Sequence, residues 1–594
     1  MRRLLGNLIL SLTVSVLLLG SLEGVSRLLE ERKPQPERAE YLWDWEAQWE
    51  GDFYTLASDE SGWPPGAEFN GDGVRDRAHA VEKPEDTWRV VFLGDSVTFG
   101  DGNAPAEAYP QQLQAKLDDE GRRVEVFNVA LWGWSTRQQR FAYERIARKY
   151  APDQVVLAVC LNDIPEMQNN LARPPRWLAE LHRRSALARR LIAAERREIA
   201  SVEELFAEEG SPRVERAFTL FFDEVRHLRD AARSDKAQFS LLVLPFLFQL
   251  EPGAPAPSVQ ERIRQFCRSE QIPCFDPLPE MRAGGRSLFN DYDHLSPEGG
   301  RFIAEWIGKS GLLPRTPSAD EVLAAHLGSG AGTLRLLLGA LSAHDVSVRA
   351  GAAWRLGRNG QEASVVIAHL EKALATDESE VVRSAAARSL GRFGSAARGA
   401  VPSLLQALAD PRQAVRWAAA DSLHPIGVDP AYGQELADNT RNPDPYVRAF
   451  ATFTLGALGA EAGEAAVPAL VETLKREGGA GRSGAAAALA RLGPAASGAV
   501  PALIEELRHT DPARRWRAAR ALGRIGTAAA PAVDGLLVTL ADPEPSVRLQ
   551  SARALGRIGE DARAAIPGLV RALEDPDPDV KQEALAALSR IPAR

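Results

Sequence analysis

The stretch Trp88-Arg-Val-Val-Phe-Leu-Gly-Asp-Ser-Val-Thr-Phe-Gly100 decides how the first half of the chain folds. An apolar, largely β-branched run from Val90 to Leu93 ends in Gly94-Asp95-Ser96, and Gly100 and Gly102 follow. A short continuous apolar run that stops at a turn is what a strand buried on both faces leaves in a sequence, and such strands belong to parallel sheets. Here it carries a serine to its carboxyl end. A glycine-rich turn after a first strand can also cradle phosphate, but Gly94 to Gly102 has neither the G-x-G-x-x-G spacing nor a Gly-Lys-Ser/Thr ending.

Working downstream, four more strands are expected at 124–129, 154–161, 239–245 and 272–276, with helices at 110–120 and, after the 290–299 stretch, to about Ile307. Strands alternating with helical stretches predict a three-layer α/β domain around a doubly wound parallel sheet, which binds ligands beyond the carboxyl ends of its strands. Trp132-Gly133-Trp134-Ser135-Thr136 follows the second strand, Asn162-Asp163 the third, and Asn290-Asp-Tyr-Asp-His-Leu-Ser-Pro-Glu-Gly299 the fifth. A serine hydroxyl is a weak nucleophile that needs an imidazole to take its proton and a carboxylate to hold that imidazole. His294 and Asp291, three residues apart, can supply both. The anionic intermediate then needs preorganised donors, and the main-chain N–H groups of Ser96 and Gly133 and the Asn162 amide are candidates.

Taken in order, these four blocks resemble the SGNH, or GDSL, family of serine hydrolases over roughly residues 70 to 310. Asn70-Gly-Asp-Gly-Val-Arg75 followed by Lys83-Pro84 is similar to the lead-in of its membrane-anchored bacterial members. The resemblance implies a flavodoxin-like domain and ester hydrolysis with Ser96 as nucleophile, Asp291 and His294 completing the triad, and Ser96, Gly133 and Asn162 forming the oxyanion hole. One block departs from the pattern: the usual Gly-x-Asn-Asp reads Cys160-Leu161-Asn162-Asp163. Asp293, next to His294, is the second candidate for the orienting acid. The substrates implied are O-acetylated envelope glycans, acyl lipids and thioesters. Trp132 and Trp134 flank Gly133, placed to stack on a sugar or to line an acyl pocket, and glycan deacetylation is preferred on that ground. The reaction class calls for no metal or organic cofactor.

Ahead of this domain, Arg2 and Arg3 precede a nineteen-residue apolar run, 4–22. That length just spans a bilayer, and the flanking charges favour a cytoplasmic N-terminus. We expect a transmembrane anchor over 1–30, with a cleaved signal peptide as the competing reading, and export of all that follows to the periplasm or cell surface. Residues 31–85 read as a linker and aromatic-rich extension whose Trp43, Trp45, Trp49, Phe53, Tyr54 and Trp63 either meet sugars or pack as a strap. The hydrolase domain is expected over 86–312, with a helical insertion at about 166–235 that forms either an active-site cap or a surface elaboration. A net charge of −9 and the absence of a basic block set nucleic acid aside. Cys160, Cys267 and Cys274 are too few for a disulfide framework or a zinc site, leaving a Cys267–Cys274 bridge or two thiols.

After a linker at 313–330 the sequence becomes periodic. Arg349, Arg383, Arg416, Arg448, Arg482, Arg515, Arg548 and Lys581 recur at steps of 32 to 34 residues, each followed three positions on by Ala or Ser and seven positions on by Leu. Offsets of 0, 3 and 7 trace one helix face, and small residues on it allow close packing. Helix pairs of this length predict an α-solenoid over 331–594, resembling short HEAT-like repeats and suited to a protein partner. The basic positions either line a binding groove or pair with acids of neighbouring turns.

Overall fold

The computed structural model describes residues 47–50, 53–56, 70, 72–166, 202–206, 211–328 and 333–592, apart from 361, 463 and 478. The anchor expected at 1–30, most of the 31–85 extension and the 167–201 part of the insertion lie outside the described residues. Two compact units emerge: residues 72–76 and 86–316 belong to the first, 77–85 and 317–592 to the second. A short antiparallel hairpin, β1 (Ala47–Glu50) and β2 (Phe53–Leu56), is assigned to the first unit.

The first unit is built on five parallel strands: β3 (Trp88–Gly94), β4 (Val124–Ala130), β5 (Gln154–Cys160), β6 (Gln238–Leu244) and β7 (Cys274–Phe275). Their order is β4-β3-β5-β6-β7. Val90 to Leu93 and Val155 to Cys160 are fully buried, as strands covered on both faces must be. Because the chain steps from β3 outward to β4 and then back across to β5, the order reverses at β3, and its carboxyl end is the switch point where such sheets bind ligands. Helices α1 (Ser96–Phe99), α2 (Tyr109–Asp119), α3 (Thr136–Arg145), α4 (Pro212–Ser234), α5 (Ser258–Ser269) and α6 (Pro297–Ser310) complete the layers, with α2 packed on α6 and α3 on α4. The described end of the insertion is therefore the β5-to-β6 crossover. Phe218, Phe221, Val225 and Leu228 of α4 are buried, because parallel neighbours need a crossing element to cover the sheet.

The second unit is all helical. The stretch expected to be a linker contains α7 (Ala319–Leu327), started by a Ser318–Glu321 capping box and packed through the buried Leu323 on the first repeat helix. Eight repeat helices carry the recurring residues: α8 (Val346–Leu356), α9 (Glu380–Arg392), α10 (Gln413–Ile426), α11 (Pro445–Leu458), α12 (Gly479–Leu492), α13 (Pro512–Ile525), α14 (Pro545–Ile558) and α15 (Pro578–Arg590). Their small residues at offset 3 are buried, as are the leucines at offset 7 except the half-buried Leu588 of the last repeat. A signal absent from the sequence reading sits one residue beyond those leucines. A Cβ on Gly556 would lie 2.7 Å from Ala587 Cα on the next helix, so only glycine permits that approach. The apolar stretches Gly481–Glu506 and Pro512–Thr539 are long enough to cross a membrane by composition, but each is a repeat helix followed by the second helix of its pair, Val500–Glu506 or Val533–Thr539, and both contribute to the shared core.

Most of the periodic arginines pair with acids. Arg383 holds Asp410 through Nε at 2.8 Å and Nη2 at 3.1 Å, and its Nη1 donates to the carbonyls of Asp377 and Glu378, both 2.9 Å. The same arrangement joins Arg349 to Asp377, Arg416 to Asp444, Arg448 to Glu477, Arg515 to Asp542 and Arg548 to Asp575. Asp410 also accepts from the Arg412 amide, so each rung closes one interhelical turn and clamps the next. Residues 77–85 pack on the same ladder, where Glu82 meets Arg412 at 2.8 Å and the Glu85 amide donates to Glu380.

Candidate active site

Ser96 is presented by a sharp strand-to-helix turn. Asp95 caps α1 by accepting from the Val97 amide at 3.0 Å, and Gly100 closes it in the left-handed region at φ +83°. A side chain on Gly94 would strike Thr98 Oγ1 at 2.2 Å, so the glycine before the Asp-Ser pair is required for the turn to close. Arg75, from the lead-in segment, is buried and donates to the carbonyls of Gly100 and Asn103 at 2.9 and 2.7 Å. That brace links a weak sequence signal to the placement of the serine loop.

The loop after β7 brings the base. His294 Nε2 lies 2.9 Å from Ser96 Oγ across 198 residues of sequence, and its Nδ1 lies 2.9 Å from Asp291 Oδ2. Asp291 also accepts from the His294 amide at 2.9 Å, fixing the spacing of the two. The loop is tied to the serine loop by Asn103, which donates to the Leu295 carbonyl at 2.7 Å and accepts from Asn290 at 2.9 Å.

Three carboxylates surround the imidazole. Asp293, wholly buried, approaches Nδ1 at 3.1 Å, and Asp101 approaches Nε2 at 3.8 Å. Burial works against a charged ring, but Asp293, Asp291 and Asp101 outweigh it and push the His294 pKa up to about 10. Burial likewise opposes charge on Asp291, yet its bonds to His294 hold its pKa well below the usual carboxylate range. The two candidates for the orienting acid thus flank the same nitrogen, with Asp291 the closer and better bonded. Asp101 was not singled out from sequence, since one acid in a turn carries no signal until the fold sets it beside the base.

Gly133 and Asn162 stand immediately beyond β4 and β5, the two strands paired with β3. Gly133 has φ +62°, a conformation glycine alone adopts without strain. Asp163 stabilises the turn holding Asn162 by accepting from the Cys160 amide at 3.0 Å and from Gln139 at 2.9 Å. The tryptophans beside Gly133 are not open platforms. Trp134 is fully buried, and Trp132, 7% exposed, packs on Phe99 with ring centroids 4.3 Å apart.

Residues 92–302 match the model of the GDSL-like Lipase/Acylhydrolase family. Residues 319–391, 367–444 and 533–593 match HEAT repeats, and 447–476 and 514–539 match the PBS lyase HEAT-like repeat. The chain joins a GDSL-like acylhydrolase domain to HEAT repeats. Among solved structures, it is similar to an engineered protein at 23% identity, covering 58% of this chain and 97% of that one with a TM-score of 0.34. It is also similar to a lipase/acylhydrolase from Enterococcus faecalis, at 15% identity over 38% of this chain and 95% of that one with a TM-score of 0.26. YibA from Escherichia coli matches at 19% identity over 47% of this chain and 99% of that one with a TM-score of 0.29. No curated protein matches the chain.

In the acylhydrolase domain Asp291, Asp293 and His294 also place ligand atoms within 4.8 Å of one another. A cation there would compete with the carboxylate bonds to Nδ1. The cysteines expected to be bridged or reduced are free thiols, with Cys160 and Cys267 buried and Cys274 half-buried.

Proposed function

We propose that the chain is an exported, membrane-anchored serine esterase that cleaves acyl esters, with its repeats serving as an arm for a protein partner. The observation carrying the esterase reading is His294 bridging Ser96 and Asp291 at 2.9 Å on either side. In that mechanism neutral His294 takes the Ser96 proton as Oγ attacks the ester carbonyl. Asp291 stabilises the imidazolium so formed, and the Ser96 and Gly133 amides with the Asn162 side chain meet the oxyanion. The imidazolium then protonates the leaving alkoxide, and water repeats the sequence to free the acid.

Export and anchoring rest on Arg2, Arg3 and the apolar run 4–22. The burial of Trp134 and the packing of Trp132 on Phe99 remove the sugar-stacking argument, so the substrate class supported is acyl esters without preference for a glycan carrier. A fluorophosphonate probe tests the reading directly. Wild type should be labelled and Ser96→Ala should not; a folded wild type that resists the probe points instead to a scaffold with an inert domain. Comparing acetyl with long-chain esters then separates O-acetyl glycans from acyl lipids.

A further inference from the structure

Two sets of repeat arginines differ in their surroundings. Those at offset 0 are largely taken up by the ladder. Nine positions further along, the last four repeats carry Arg491, Arg524, Arg557 and Arg590, and two of them add Arg520 and Arg553 at offset 5. Offsets 5 and 9 lie four residues apart on one helix face. Helices α12, α13, α14 and α15 pack side by side, so these six guanidinium groups share a surface. Arg553 is half-buried and the other five are exposed.

Glu583 is the acid that answers them, at 2.8 Å from Arg553 and 3.6 Å from Arg590. Arg491, Arg520, Arg524 and Arg557 form no ion pair among the described residues. Arg491 instead lies over the Phe453 ring at 4.7 Å and Arg520 over Trp516 at 5.3 Å, contacts that orient a guanidinium without supplying acceptors for its N–H groups. Burial and the charge of Arg520 hold Arg491 below its usual pKa. Burial with Arg524, Arg553 and Arg590 does the same to Arg557, against a weaker pull from Glu583. A chain of net charge −9 thus keeps a cluster of mutually repelling cations on one face.

We propose that this face binds an extended acidic segment of a partner protein. Arginine's planar fork matches a carboxylate through two parallel hydrogen bonds. Packed helices lie about 8–10 Å apart, which is close to three residues of extended chain at about 3.3 Å each. An acid at every third position would therefore meet one arginine row after another. A membrane surface fits less well, since interfacial binding needs apolar side chains among the cations, and Leu585 is the one exposed large apolar residue on these four helices.

The proposal gives a chemistry to the partner-binding arm and stands whether or not the other unit hydrolyses esters. To test it, the full chain in neutral detergent is titrated by fluorescence anisotropy with a labelled peptide of about a dozen residues bearing Glu at every third position. The peptide should bind with an affinity that falls as salt is added. The double variant Arg524→Glu/Arg557→Glu should weaken binding by about tenfold or more. Arg508→Glu/Arg571→Glu, the same charge change placed elsewhere in the repeats, should not. Both variants should keep wild-type melting and ester turnover, which separates lost binding from lost folding. Equal binding by the first variant, equal loss in the second, or indifference to clustering the same acids at one end of the peptide would overturn the proposal. So would tighter binding of a polyuronate, an oligonucleotide or phosphatidylglycerol vesicles.

Discussion

Three carboxylates gather on one imidazole in the first unit, whereas in the second each ladder arginine has an acid of its own. Both arrangements hold a basic side chain between oxygens. They differ in whether the charges converge or are dealt out along the chain. Convergence sets Asp291 and Asp293 at Nδ1 of one imidazole and Asp101 near its Nε2, the nitrogen that faces Ser96. Distribution ties successive interhelical turns together over most of the stack, with each rung holding only its own pair of turns.

The largest effects should follow from breaking the point of convergence. Ser96→Ala and His294→Ala should each lower ester turnover by about 10⁴-fold or more, and the double variant should be no slower than either single, because the residues act as one device. Steady-state kinetics check this; losses that multiply in the double variant would show that serine and histidine work separately. Next in size, Asn162→Ala should lower kcat by about 10²- to 10³-fold with little change in KM, as expected for a donor used in the transition state. A variant that altered only KM would place Asn162 in substrate binding instead.

How much of this was legible in the sequence follows the same divide. Repetition made the solenoid plain, since eight copies of one pattern reveal the face with Ala at offset 3 and Leu at offset 7. Ser96, Gly133, Asn162, Asp291 and His294 were legible as residue types at or after predicted strand ends or in a later loop, and through a family resemblance. The fold adds what spacing alone cannot supply, namely the 2.9 Å approach of His294 to Ser96. Asp101 and Arg75 were missed as parts of the site because their importance lies in tertiary contacts with His294 and with the carbonyls of Gly100 and Asn103. The helix Ala319–Leu327 was hidden for a related reason: it caps the stack without sharing its periodic residues.

A subtler test concerns the pH profile. A general base must be neutral, and a His294 pKa of about 10 keeps the ring largely protonated at neutral pH, so turnover should climb with pH through the alkaline range. Asp101→Asn removes one of the charges favouring the imidazolium, so its rising limb should lie at lower pH than that of wild type. Stability should run the other way. A folded pKa above the unfolded value contributes stability that is complete below about 6.5 and is lost as pH rises towards 10. A limb that stays in place in Asp101→Asn would show that this carboxylate does not act on the base.

The effects on the ladder fall on stability alone. Arg383→Ala takes the guanidinium from Asp410, whose side chain is 11% exposed in the intact rung, a loss of about 2–4 kcal/mol. Arg548→Ala does the same to Asp575, 8% exposed. Replacing both partners of one rung should cost less than removing the arginine alone, because no buried carboxylate is then left behind. The two arginine variants lie several repeats apart and share no partner, so in denaturant melts their effects should sum to within about 0.5 kcal/mol. Nearest-neighbour stacking leads to that sum, since each rung joins only adjoining repeats. Additive loss here, beside non-additive loss at Ser96 and His294, would separate a distributed scaffold from a convergent site by one kind of measurement; strong coupling between the distant rungs would mean that the ladder acts as a single device as well.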